Sequence, residues 1–450
     1  MEAPGPAFTD RSVNMTNFFN LSDTVLLRQI QIEFSADLNR LTRAYSIRER
    51  NVQFPSQPSP SEILYGAQHD EVNRTLVSVL SLRWIYWDRY ETFKESQPEG
   101  MAISRSSFKW LRELFMPRLQ DPSDLYALLT YIVINDVGKD PELATDYRSH
   151  KDKDISNLNH DMILFEAVKA SLVPSFERLA QRHKDEIMRG MKLGAEFNPG
   201  QLAQAENAPA CLSSLLLMEG HIEDFNFHFI QQLLDISGAA GHEDWTCAKK
   251  LIEPIATAYH NVYEVAIQVI SRERGLRDAY DFLLTRRGEM LHQKDLKLLD
   301  VQHPEHRALL RLLSMGGVSD LKKAQLYLQT WKDLDEDTKT SLIRSLNIDG
   351  SLSEPAVQPT YIPAMLTQGV GGLNSASAEE QAKRLRYILR YLSRVMDLGD
   401  EQHDHAAVIE RSVLWVVKDV VQCDAFRQDP TCLEKVEIPK SVILVSVGIT

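Results

Sequence analysis

Residues 122–142 constrain this chain more than any other stretch. An apolar helical repeat, Leu125, Leu128, Leu129, Ile132 and Val133, runs directly into Asn135-Asp136-Val137-Gly138-Lys139-Asp140. Those apolar positions share one helical face, and the next position on that face is Asp136. Asn135 lies beside it, three residues after Ile132. A carboxylate carried to an apolar face is costly unless it is paired, hydrogen-bonded or bound to a cation, so Asp136 needs a partner. Two readings stand: a satisfied structural carboxylate near a helix C-terminus, or a working group of a site, partnered by His160 or Lys139. Asp121-Pro122-Ser123 supplies the cap and the first-turn proline of this helix, Gly138 its expected end and Pro141 its stop.

The rest of the chain carries the same period. A mostly α fold is expected, an irregular multi-helix single domain, with the alternating, β-branched run from Val436 to Val447 fitting a short C-terminal strand. Residues 1–20 read as a polar arm, 21–348 as the helical core, 349–378 as a Gly/Pro/Ser-rich loop or lid, and 379–450 as helices and a strand packing on that core. Ser377-x-x-Glu380 is a capping box opening the long helix of the last segment. Gly238-Ala-Ala-Gly241 is a small-residue break that lets backbones approach closely, and Asp244 is placed to cap a helix carrying Trp245.

Apolar residues make up 43% of the 450 and charged ones 25%, the proportions of a soluble globular protein. No run of ~18 apolar residues offers a membrane span, and the N-terminus lacks a signal-peptide pattern, so a cytoplasmic location is expected. A net charge of -13 argues against general affinity for DNA or for an anionic membrane. The four cysteines form no CxxC pair and read as free thiols, and no metal site or cofactor is expected from them. Cys211 lies in an apolar segment where a thiol is inert. Cys247, near His242, Lys249 and Lys250, is better placed to ionise, although a buried inert thiol is the plainer reading there too.

Ile134-Asn-Asp-Val-Gly-Lys139 resembles the His-Asp-Ile-Gly-Lys core of the HD-domain metal phosphohydrolases, which are also helical. That family implies a metal held by histidines and aspartates, and His69, Asp136, His160, His183 and Asp235 occur in a suitable order. Asn135 stands where the paired histidine belongs, and asparagine is a poor ligand for a transition metal.

A broader resemblance covers residues 125–255. Asn135-Asp-Val-Gly-Lys-Asp140, Asn159-His-Asp-Met-Ile163, Gly194-Ala-Glu-Phe-Asn198, Gln201-Leu-Ala-Gln-Ala-Glu-Asn207 and Gly238-Ala-Ala-Gly-His-Glu-Asp-Trp-Thr-Cys-Ala-Lys-Lys250 together resemble a family of fungal proteins, the arginine-containing cyclodipeptide synthases of secondary metabolism. The resemblance implies a reaction that joins an arginyl group from arginyl-tRNA to a second aminoacyl group and closes a diketopiperazine. Aminoacyl-tRNA is then the expected partner.

Aminoacyl esters are already activated. Such an enzyme needs no ATP, but it needs a seat for each aminoacyl arm, a carboxylate for the guanidinium and a base for the attacking amine. Asp136, Asp140, Asp161, Glu196, Glu206 and Asp244 offer carboxylates, the natural partners of guanidinium. Asn135, Lys139 and Asn207 are further substrate-binding candidates. Asp136, His160 and His242 are the candidates for proton transfer. Each has a plainer reading as a structural group, and Gln201, Gln204, Glu206 and Asn207 also read as a hydrogen-bonded core network. Arg386, Arg390 and Arg394 form an i, i+4 stripe, the best candidate for tRNA contact, while a solvated helix face explains the same spacing. A metal phosphohydrolase and a non-enzymatic helical interaction protein are the alternatives.

Overall fold

Two helices buried on nearly every side set the architecture, one apolar almost all round and the other carrying polar and charged residues among its apolar ones. The computed structural model describes residues 5–9, 12–46, 54–351, 353–371, 377–399 and 406–446, and the fold is mostly α. The chain groups into two compact units, Met1–Ala195 with His221–Ala258, and Glu196–Gly220 with Tyr259–Thr450. Among the described residues no helix is long and apolar enough to cross a membrane.

In the first unit a two-stranded antiparallel ribbon, β1 (Phe8–Thr9) and β2 (Ser12–Val13), precedes α1 (Met15–Asn20) and α2 (Asp23–Glu33). The enclosed helices are α3 (Asp70–Tyr86) and α4 (Pro122–Ile134). Every residue of α4 from Leu125 to Ile134 is buried. The Asp121 side chain caps α4 by accepting from Ser123 N and Asp124 N, with Pro122 in its first turn, as the sequence predicts. The end of α4 differs from expectation. The helix closes at Ile134, Val137–Lys139 form one 3-10 turn, and Pro141 opens the next helix, α5 (Pro141–Lys151), with Asp140 as its cap. Asp-Pro is a start signal here, because proline's missing N–H costs nothing in a first turn. Helix α6 (His160–Lys169) follows, capped by Asn159, and α7 (Ile222–Gly238) packs along α3.

Two glycines set the spacing of these helices. A Cβ on Gly238 would lie 2.3 Å from the Arg74 carbonyl oxygen on α3, and one on Gly138 would lie 1.9 Å from the His160 carbonyl oxygen. Only a missing side chain permits either approach, so Gly138 draws the start of α6 onto the 3-10 turn that carries Asp136 and Lys139. Asp244 caps no helix. It accepts from Thr246 N and Oγ1 in a turn, and the next helix begins at Glu253.

The second unit contains α8 (Leu276–His292), α9 (Pro304–Met315), α10 (Glu336–Asn347), α11 (Ile362–Gly371) and α12 (Ala378–Met396). Leu385, Ile388, Leu389 and Leu392 of α12 pack with Leu309, Leu312, Leu342 and Leu346 in one core. The expected capping box of Ser377 and Glu380 opens α12. The segment 349–378, read as a loop, instead contains strand β3 (Ala356–Gln358) and α11. Pro359 and Gly371 flank or end these elements rather than preventing them, and residues 372–376 of that segment lie outside the described residues. β3 runs parallel to β4 (Ala406–Glu410), which pairs antiparallel with β5 (Val442–Ser446); the strand expected in the run from Val436 forms only from Val442 on, and 436–441 are irregular.

Candidate active site

The first unit gathers an unusual density of charge where α3, α4, the 3-10 turn, α6 and α7 meet. Lys139 is at the centre. Its Nζ donates to Glu71 Oε2 at 3.0 Å and pairs with Asp136 Oδ1 at 2.8 Å. From the other side Arg74 Nη1 donates to Glu71 Oε1 at 2.8 Å. His160 Nε2 stands 4.0 Å from Asp136 Oδ1 and 3.4 Å from Asp161 Oδ1. Asn135 Nδ2 donates to Asp235 Oδ1 at 3.4 Å.

The floor of this cluster is closed and its rim is open. Glu71, Asp136 and Lys139 are buried, Asn135, His160 and Asp235 are half-buried, and Asp161 is exposed. Burial raises the Glu71 carboxyl above its ordinary range, and the Asp136 charge adds to this against Arg74 and Lys139. Burial also works against the Asp136 charge, but Lys139 and Arg74 outweigh it and keep that group ionised. Of the two acids, Glu71 is therefore the more readily protonated and Asp136 the more firmly ionised. Asp235 is pushed up to about 6, by burial first and then by the charge of Asp136. Burial works against the Lys139 charge too, yet Asp136 and Glu71 raise its pKa and keep it charged.

Four acidic side chains, Glu71, Asp136, Asp161 and Asp235, thus face two built-in cations. The acids nearest solvent, Asp161 and Asp235, lie outside the Lys139 and Arg74 contacts. That arrangement can seat an incoming cation at the rim and move a proton through His160 or Asp235.

The cluster unites Asn135, Asp136, Lys139, His160 and Asp161 from the sequence-derived set. It leaves the others elsewhere. Asp140 accepts from Arg40 and Arg43 and caps α5, which accounts for its burial structurally. His242 lies 3.7 Å from Glu243 in its own turn. Glu196 is exposed in the second unit. Cys247 is buried with its thiol raised, first by burial and then by Asp244, as an inert thiol would be, and Lys249 is engaged by Glu243.

Glu206 and Asn207 belong to a hydrogen-bonded core network of the second unit. Asn207 Nδ2 and Cys211 Sγ both donate to Gln358 Oε1, at 2.9 and 3.4 Å. The buried Arg311 donates to the Asn207 and Ala205 carbonyls. Burial pushes Glu206 up to about 8 despite a hydrogen bond from Tyr361 N, and pushes the Cys211 thiol up to about 11. The arginine stripe on α12 closes the same unit. Arg386 is 4.0 Å from Asp333, Arg390 pairs with Asp335 and Glu434, and Arg394 donates to the carbonyls of Leu433, Glu434 and Val436.

Sequence reasoning missed Glu71 and Arg74 and used Asp235 only as a metal-ligand candidate. The available signal was charge at i and i+3 inside α3, whose neighbours Val72, Leu76, Val77 and Val79 are all buried. Of the five residues ordered like an HD-type metal site, only Asp136, His160 and Asp235 meet. His69 Nδ1 contacts the Thr42 carbonyl oxygen, and His183 lies between Asp124 and Glu186. Among the described residues no group of three or more His, Cys, Asp or Glu side chains is arranged to hold a metal ion. The donor set explains this: an asparagine replaces the histidine, and the Lys139 ammonium lies between Glu71 and Asp136, where those carboxylates would otherwise turn to a metal.

Fold and cluster together define a mostly helical scaffold carrying a half-open, acid-rich cluster with two internal cations. Residues 27–433 match the model of a family of unknown function, DUF6829, and the chain belongs to that family. No curated protein matches the chain, and no solved structure does.

Proposed function

We propose that this protein is a biosynthetic enzyme of the arginine-containing cyclodipeptide synthase type, joining arginine from arginyl-tRNA with a second aminoacyl group into a diketopiperazine. The observation that carries this reading is the surplus of carboxylate over cation in the cluster, with the unmatched acids at the rim. A guanidinium or ammonium group entering beside Asp235 and Asp161 neutralises that surplus, and a planar guanidinium matches a carboxylate bidentately.

In this reading the amine of one aminoacyl group attacks the ester carbonyl of the other. A C–N bond forms, the ester C–O bond breaks, and the ribose hydroxyl leaves with a proton. A second amine attack on the remaining ester closes the ring and releases the second hydroxyl. His160, between Asp136 and Asp161, and Asp235, which gains a proton near pH 6, are the groups that take the amine proton and return it to the leaving oxygen. Asp136, held ionised by Lys139, orients His160.

The deciding experiment incubates the protein with a mixture of charged tRNAs and searches for a cyclic arginine-containing dipeptide by mass spectrometry. Product that disappears with RNase and with Asp235→Asn supports the reading. Absence of product across all amino acids refutes it. A phosphohydrolase reading is weaker, because Lys139 occupies the carboxylates a metal would use.

A further inference from the structure

At the far end of α3 from the acid cluster, the same unit has a cleft of the opposite character. It encloses about 540 Å³ and is lined by Phe19, Ser22, Asp23, Arg83, Trp87 and Arg89, among others. Arg83 is 5% exposed, so its charge is almost wholly removed from water. Its Nη1 pairs with Asp23, and its Nη2 donates to the Phe19 and Leu21 carbonyls. Its buried Nε has no hydrogen-bond partner. Arg89 stands close enough for its charge to act against that of Arg83, and among the described residues Arg89 forms no ion pair. Two guanidiniums and one carboxylate thus line the cleft, and the carboxylate is paired with the buried guanidinium, so the charge of Arg89 is left over.

Two further features point the same way. The cleft includes the start of α2, an 11-residue helix whose cap, Ser22, makes no side-chain capping bond, so its first-turn N–H groups lack that partner. Trp87 is 44% exposed although its Nε1 is fixed to the Phe19 carbonyl at 2.9 Å. Behind it, Tyr86 meets Trp87 edge-on at 5.2 Å and stacks on Phe19 at 3.5 Å. The exposed indole is thus a rigid aromatic plate beside a cationic, donor-rich cleft. Guanidiniums and helix N–H groups recognise phosphate, and an anchored indole recognises the flat face of a base.

We propose that this cleft is a nucleotide-binding site, with a phosphate held by Arg89, Arg83 and the start of α2 and a base stacked on Trp87. The acid cluster contributes nothing to it, so the inference stands whether or not the condensation reading does. A phosphate beside a stackable base has two sources, a free mononucleotide and the single-stranded end of an RNA. Helix α3 separates the two sites: Glu71 and Arg83 are twelve residues apart on it, about 18 Å along the axis. A single-stranded RNA end bound at the cleft could span that distance to the acid cluster.

The test uses adenosine 5′-monophosphate, adenosine and a short single-stranded RNA ending in CCA, titrated into the full-length protein by calorimetry. Adenosine monophosphate or the RNA should bind, and adenosine should bind at least tenfold more weakly. Arg89→Ala should weaken binding about tenfold, by loss of one charge-assisted contact. Trp87→Ala should weaken it by a similar factor. Asp23→Asn, which removes the opposing carboxylate, should tighten binding about threefold, a gain that misfolding cannot imitate. RNA binding tenfold tighter than the mononucleotide assigns the site to an RNA end, and equal affinities assign it to a free nucleotide. No binding of either, or binding untouched by Arg89→Ala and Asp23→Asn, overturns the proposal.

Discussion

Replacing Lys139 by methionine keeps the length of the side chain and deletes its charge. Lys139 joins two buried acids at 3.0 and 2.8 Å, so its loss leaves Asp136 supported only by the Arg74 charge and by Glu71. Breaking a buried pair by removing one partner costs about 3–5 kcal/mol, because the surviving charge has lost its compensation. The cost depends on pH, and its sign follows from the two acids. In the native protein the depressed pKa of Asp136 contributes stability above its ordinary value, lost only as pH falls through the folded value. The raised pKa of Glu71 acts oppositely: its contribution is complete below the ordinary value of 4.5 and is lost as pH rises through the folded one. Without Lys139 both pKa values move up, so the variant's native state holds up to one more proton than the wild type near neutrality. Each such proton adds about 1.4 kcal/mol of extra destabilisation per pH unit, at most about 2.7 kcal/mol between pH 5.5 and 7.5. The excess loss of the variant over the wild type should therefore grow on raising the pH. Because two compact units need not unfold together, hydrogen exchange of the α3 and α4 amides is the right measurement. Lys139→Arg should restore much of the loss. A variant penalty below about 1 kcal/mol, or one equal at both pH values, would refute the buried ion-pair account.

Other consequences are as direct. Gly138→Ala places a methyl 1.9 Å from the His160 carbonyl oxygen, so α6 must retreat; about 1–3 kcal/mol of stability should go, and with it the activity that depends on His160 beside Asp136. A thermal melt at wild-type midpoint would show the contact to be softer than drawn. Asp140→Ala removes the acid shared by Arg40 and Arg43 and the cap of α5, and should cost about 2 kcal/mol, with the exposed Arg43 contributing little. Chemical denaturation reads it, and a neutral result would deny Asp140 its structural role. Asp235→Asn should lower kcat/KM about 100-fold with little change in stability, and should abolish a rise in activity through about pH 6, since a base works only when ionised. An unchanged pH profile would assign the proton transfer to His160.

The helical class and the centre of the site were legible because they rest on local rules. The apolar repeat from Leu125 to Val133 is written in α4 itself, and Asp136 stands on that repeat as its next member. Gly138 was legible only as punctuation; its real work, admitting the His160 backbone, involves a residue 22 positions away. Asp140-Pro141 was misread because the same dipeptide can end one helix and begin the next, and the 3-10 turn leaves room for both. Glu71 and Arg74 were illegible as site residues for a further reason. In the first turns of α3 an acid and an i+3 base look like an ordinary surface pair, and only the burial of that helix by α7, more than 150 residues later, turns them into a charge network.

That burial bears on why the network is kept. Replacing a buried ion pair by apolar groups is often neutral or stabilising, so stability alone is a poor reason for Glu71, Arg74, Asp136 and Lys139 to stand together in an apolar helical core. The arrangement makes better sense as a means of driving two neighbouring acids apart in proton affinity, Asp136 downward and Glu71 upward, beneath a rim that meets solvent. If so, replacing Glu71, Arg74, Asp136 and Lys139 together by apolar residues of similar size should leave the first unit as stable as before, or more so, while removing all turnover. Loss of folding in that quadruple variant would instead assign the network to structure.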